Sequence, residues 1–171
     1  MSNLIDQPLQ WMHPQRVGLP GAFDASAVGA LLNPMINQQF SPLTEHPAHR
    51  WWVEHWPLLA PAATLLGAYR LWPHLAWGGL SQRLSPAQRR FAGLALGPRE
   101  PMAPAPEEPL ELRLAAGGLR ALLDALPDCP GLHQRVPLVF SPRAQQLASA
   151  WPTQPYPFAT IVQAVQHARY S

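Results

Sequence analysis

Lysine is absent from this chain, so arginine supplies all 12 of its Lys or Arg cations. Charged residues of both signs make up only 13%, against roughly a quarter in a typical soluble domain. The formal net charge of +2 is far from the clustered basic excess of a nucleic-acid binder. Cysteine occurs once, at Cys129, which rules out an intrachain disulfide and fits a reducing compartment, the cytoplasm by default. Long hydrophobic runs are missing too. The longest, Leu58 to Tyr69, contains Pro61 and stops at Arg70, short of the roughly 20 residues of a membrane span. The opening residues, MSNLIDQPLQ, have neither a basic n-region nor an apolar h-region, so no secretory signal is expected. There is no GxSxG, Walker loop, GxGxxG or HExxH, and the Gly-Gly pairs lack the surroundings that cradle a phosphate. Catalytic, metal and phosphate signatures are all missing.

Proline, with 22 residues, and tryptophan, with 7, are in surplus within a hydrophobic content of 47%. A length of 171 residues suits one domain with a real core. Low charge and surplus aromatics together imply that part of the surface meets a partner. The expected fold class is mainly α: a single compact multi-helix domain with a Pro-rich linker and at most a short extended segment. Residues 1–23, with Pro8, Pro14, Pro20, Gly18 and Gly21, read as an irregular segment. Residues 24–171 read as the helical domain. Its N-terminal helices occupy 24–96, a linker (GPREPMAPAPEEP) occupies 97–109, and C-terminal helices over 110–171 pack back on the first set.

The stretch from Trp51 to Leu96 has the longest helical periodicity and most of the tryptophans. Before it, Asp24 is placed to cap a short helix ended by Asn33-Pro34, and Ser41-Pro42 offers a second cap. A helix from about Pro47 to Trp56 sets Trp52, Val53 and Trp56 on one face beside His49. Leu58, Ala62, Leu65, Leu66 and Tyr69 then recur at helical spacing, and Pro73 is expected to break or kink this helix after Trp72. Ser85-Pro86-Ala87-Gln88 is a capping box opening a helix that buries Ala87, Phe91 and Leu94. Between Glu111 and Leu126, residues Leu112, Ala115, Leu119, Leu122, Leu123 and Leu126 line one face. Arg120 and Asp124 pair on the other, and Gly117-Gly118 offers another backbone room to come close. Residues 135–140, RVPLVF, have strand-like composition, which Pro137 restricts to an edge or extended segment. Ser141-Pro142 opens a short helix to Trp151, and a last helix from Phe158 to Tyr170 turns Phe158, Ile161, Val162 and Val165 inward.

Three groups of side chains are candidate sites. Glu45, His46, His49, Glu54 and His55 include two histidines one helical turn apart. They read as polar positions on an aromatic-rich helix rather than as a closed four-ligand shell, so neither a metal nor a cofactor is expected. Cys129 and His133 flank Pro130-Gly131 without an orienting third group, which favours a small buried thiol over a nucleophile with its base. Arg83, Arg89 and Arg90 form the one local basic cluster. They are either a solvated helix face or a docking patch for an acidic partner surface, to which arginine gives bidentate hydrogen bonds.

The segments LLGAYRLWPHLAWGGLSQRLSPAQRRFAGLAL and ELRLAAGGLRALLDALPDCPGLHQRVPLVF, followed by a short amphipathic helix, resemble the K-type accessory protein of bacterial type III secretion systems, the SctK or YscK-like family. The matching features are a Leu-rich helix running to a basic residue (Leu65 to Arg70), a capped helix (Ser85 to Leu96), a later helix with a central glycine (Leu112 to Leu126, with Gly118) and an Arg-and-Leu segment ending in proline (Arg135 to Pro137). The resemblance spans about Trp51 to Ser171 and leaves out the N-terminal third. It implies a non-enzymatic, mainly helical, cytoplasmic adaptor of the sorting platform, held at the inner membrane through protein partners. Those partners would be the cytoplasmic domain of the inner-membrane ring protein (SctD-like) and the pod protein (SctQ-like) that carries the export ATPase complex. Neither nucleic acid nor direct membrane insertion enters this expectation. The residues alone leave two further readings open: another helical adaptor or chaperone-like binding module, and a small enzyme built on Cys129 with His133 or on the histidines near Trp51.

Overall fold

The computed structural model describes residues 4–18, 25–43, 45–77, 79–97, 99 and 107–170. Among the described residues the regular structure is helical throughout, as the periodicity predicts: α1 (Pro8–Trp11), α2 (Pro14–Val17), α3 (Ala25–Asn37), α4 (Pro47–Glu54), α5 (Leu59–Trp77), α6 (Pro86–Ala92), α7 (Leu110–Ala125), α8 (Pro130–Arg135), α9 (Pro142–Ser149) and α10 (Phe158–Arg169), with short 3-10 turns between them. None of the described helices is long and apolar enough to cross a membrane. The chain divides into two units, each drawn from two stretches: residues 1–57 with 127–142, and 58–126 with 143–171.

In the second unit, α5 is surrounded. Leu59, Leu66, Leu71, Leu75, Tyr69 and Arg70 are all buried and point to every side of the helix, because α6, α7 and α10 each pack on it. Each fully buried leucine contributes about 1.5–3 kcal/mol relative to exposure. Two glycines let α5 and α7 approach at backbone distance. A Cβ on Gly67 of α5 would stand 1.9 Å from the Leu114 carbonyl oxygen, and one on Gly118 of α7 would stand 1.8 Å from the Ala63 carbonyl oxygen. The close approach expected at Gly117-Gly118 is therefore real, and α5 answers it with a glycine of its own.

This contact turns α7 away from the orientation its leucines predict. Ala116, Leu119, Ala121 and Leu122 face the interior, while Leu112, Leu123 and Leu126 are half-buried. The Arg120–Asp124 pair, expected on the outer face, is carried inward with it. The Asp124 side chain is fully buried, with one carboxylate oxygen 2.6 Å from Arg120 Nη2 and the other 3.8 Å from Nη1 of the equally buried Arg70 side chain. Arg70 also lies over the rings of Trp151 and Tyr156, at 4.9 and 5.4 Å.

In the first unit, the N-terminal residues are tied to the segment after α8. His13 N–H donates to the Leu138 carbonyl at 2.8 Å, and Arg16 donates to the carbonyls of Phe140 and Pro137 at 2.7 and 3.1 Å. Arg135 Nη1 donates to the Ser41 carbonyl at 2.8 Å and its guanidinium lies 4.7 Å from the Phe40 ring centroid. Trp11 meets Trp56 edge-on at 5.1 Å.

Several expectations change at prolines. Residues 4–18 form short helical turns rather than irregular chain, with Pro8 and Pro14 each in a first turn, where a missing N–H costs nothing. Pro34 does not stop α3, because the tertiary bonds Leu9 N–H to Asn33 Oδ1 (3.0 Å) and Asn37 Nδ2 to the Asp6 carbonyl (2.6 Å) hold both sides of it in the helix. Pro73 does not end α5, whose Leu71 and Leu75 are buried on either side of it. Ser41-Pro42 opens no helix, since the Ser41 backbone serves Gln134 and Arg135 instead. Residues 135–140 form no extended segment. α8 runs to Arg135 and a 3-10 turn follows at Val136–Val139, with Pro137 again in a first turn. Phe158, expected inward, is 42% exposed. The expected cap at Asp24 and most of the Pro-rich linker lie outside the described residues.

Candidate interaction surface

Arg83, Arg89 and Arg90 stand on two consecutive short elements whose backbone is held firmly. The 3-10 turn Leu80–Arg83 leads to Ser85, where the predicted capping box forms: Ser85 Oγ accepts the Gln88 N–H at 3.2 Å and Gln88 Oε1 accepts the Ser85 N–H at 2.8 Å. Leu84 and Phe91 anchor the pair inside, at 3% and 0% exposure. With those positions inward, all three arginines are exposed, and Arg89 Nη1 reaches the Gln82 carbonyl at 3.5 Å.

The chain leaving α6 is fixed as well. The Tyr69 hydroxyl accepts N–H bonds from Leu96 and Gly97 at 2.9 and 2.7 Å and donates to the Gly97 carbonyl at 2.8 Å. Arg99 covers the Tyr69 ring at 4.7 Å and donates to the carbonyls of Ala92 and Leu94. Thr160 Oγ1 donates to the Leu96 carbonyl at 3.0 Å, which ties α10 to the same segment. The buried Phe91 ring meets the exposed His167 of α10 edge-on at 5.2 Å. Above it, Arg90, Gln166, His167 and Tyr170 line a groove of about 390 Å³, with Tyr170 86% exposed. The sequence reading found the arginines and missed the α10 residues. A signal existed, in that no Asp or Glu occurs anywhere from Arg143 to Ser171.

The other candidate groups have structural employment. His46 caps α4, its Nδ1 accepting the Ala48 N–H at 3.2 Å, His49 is buried, and His55 stacks on Trp51 at 4.5 Å. Glu45 and Glu54 are exposed, and no three metal-ligating side chains converge among the described residues. Cys129 is buried at the start of α8, while a ring nitrogen of His133 bonds the Pro127 carbonyl at 3.2 Å. That bond employs the imidazole on the backbone.

No curated protein and no solved structure matches the chain. The family described as bacterial type III secretion apparatus protein (OrgA_MxiK) matches residues 1–170, well beyond the stretch from Trp51 that carries the sequence resemblance, and the chain therefore belongs to that family.

Proposed function

We propose that the protein is a non-enzymatic adaptor of the secretion sorting platform, joining the cytoplasmic domain of the inner-membrane ring protein to the pod protein. It works in the cytoplasm and is held at the inner membrane through those partners. The observation that carries the reading is family membership over residues 1–170, which makes the chain a component of the apparatus. The exposed Arg83, Arg89 and Arg90 support it, being bidentate donors presented on capped, anchored elements as a docking patch requires.

Affinity capture of the tagged chain from its own cells, read by mass spectrometry, is expected to recover a ring protein and a pod protein. Recovery of neither under gentle conditions overturns the adaptor reading. Arg89→Glu together with Arg90→Glu should lower capture of one of the two partners by about tenfold or more, the scale of a lost charge-assisted contact. The melting temperature should move by no more than about 2 °C, because both side chains are exposed. Unchanged capture of both partners removes these arginines from the interface.

A further inference from the structure

The edge where α6 meets α10 is unbalanced in charge. From Leu71 to Arg99 and from Arg143 to Ser171 the sequence has no Asp or Glu, yet it places Arg83, Arg89, Arg90, Arg99, Arg143 and Arg169 there. Three of these bond inside the unit: Arg99 to the Ala92 and Leu94 carbonyls, Arg143 to Glu108, and Arg89, while still exposed, to the Gln82 carbonyl at 3.5 Å. Arg83, Arg89, Arg90 and Arg169 are exposed, and the fold brings Arg90 to the rim of the groove it shares with Gln166, His167 and Tyr170. A tyrosine ring 86% open to solvent at the mouth of a groove beside an arginine is the combination enriched at protein contacts.

We infer that this groove docks an acidic protein segment, with Arg90 receiving a carboxylate as a fork, Gln166 and the Tyr170 hydroxyl bonding the segment's backbone, and the Tyr170 ring covering an apolar side chain next to the carboxylate. The surrounding arginines supply the complementary field that steers such a segment in. A protein segment fits better than a lipid surface, because the apolar side chains of α10, Ile161, Ala164 and Val165, are buried inside the unit and leave no apolar helix face to enter a bilayer. It fits better than nucleic acid, because four arginines make a patch and not a track along a phosphate backbone. The chemistry of this site stands without the adaptor reading, and only the identity of the partner rests on it.

The test is photo-crosslinking in the protein's own cells from the full chain carrying Tyr170→p-benzoylphenylalanine, with the linked peptide sequenced by mass spectrometry. The expected product is a peptide dense in Asp and Glu, its yield about tenfold lower with Arg90→Glu and partly kept with Arg90→Lys. Circular dichroism of the Arg90→Glu chain should match the parent. Reversing the contacted carboxylate to arginine in the partner should restore the link to Arg90→Glu. A neutral or basic linked peptide, a lipid or nucleic-acid adduct alone, or no adduct overturns the site. An acidic peptide from a protein outside the secretion apparatus upholds the site and counts against the adaptor reading. Recovery of ring and pod proteins by capture without an acidic link at position 170 does the reverse.

Discussion

Arg70 is a fully buried guanidinium whose charge is matched by Asp124 and by the faces of Trp151 and Tyr156. Removing one partner of a buried ion pair strands the other, so Arg70→Met should lower unfolding stability by about 3–5 kcal/mol in urea titration. Arg70→Met with Asp124→Leu should recover much of that loss, since Arg120, at 14% side-chain exposure, can turn its charge to water. Equal losses in the single and double variants would mean that Arg70 acts through its bulk and not its charge. His13 offers a pH signature. Its Nδ1 accepts the Gln15 N–H at 3.3 Å, and burial, then the nearby Arg16 cation, holds its pKa below the ordinary value. The folded pKa lies below the unfolded one, so protonation favours the unfolded chain. The His13 contribution is complete above the ordinary histidine range near pH 6.5 and is lost as pH falls through it toward the folded value. His13→Asn keeps an acceptor at the cap without titrating, and its melting temperature should fall less than the parent's between about pH 7.5 and about pH 5. Parallel curves would refute the assignment.

At the scale of the element, the α5–α7 contact depends on glycine. Gly67→Ala and Gly118→Ala each drive a methyl into a carbonyl of the facing helix, and each should cost about 3 kcal/mol or more, with a fall in melting temperature. Gly29→Ala is the contrasting case: within α3 its Cβ would meet only Asn33 Nδ2, at 3.5 Å, so it should be neutral or stabilise by about 0.5–1 kcal/mol. Similar losses at all three positions would mean that the close approach does not set the effect, since helix propensity alone favours alanine at each of them. Elements whose signals are local were legible in the sequence. The Ser85 box, the apolar stripe of α5 and the start of α4 all sit where their residues place them. Pro34 and Pro73 misled, because the bonds and burial that hold those helices together come from residues remote in the chain.

At the scale of the whole molecule, charge is segregated. The stretches 58–126 and 143–171 hold nine arginines against five carboxylates, and the stretches 1–57 and 127–142 hold three against five. If the basic unit carries the docking surface, capture of its partner should weaken steeply with salt, by about tenfold between about 0.05 and 0.3 M, while melting temperature changes little. Salt-independent capture would place the contact on apolar surface instead, with Leu31 and Met35 of α3, 72% and 61% exposed, the first residues to mutate. The sequence by itself determined the helical class, the Ser85 capping box and the resemblance to a secretion-apparatus family, since these depend on residue spacings of three and four and on segments read end to end. Only the tertiary structure decided that Asp124 lies inside, that Pro73 is spanned and that α10 completes the groove beside Arg90. Those outcomes depend on which small residues meet across α5 and α7 and on an α6–α10 contact between residues far apart in the chain, distances that no local pattern encodes.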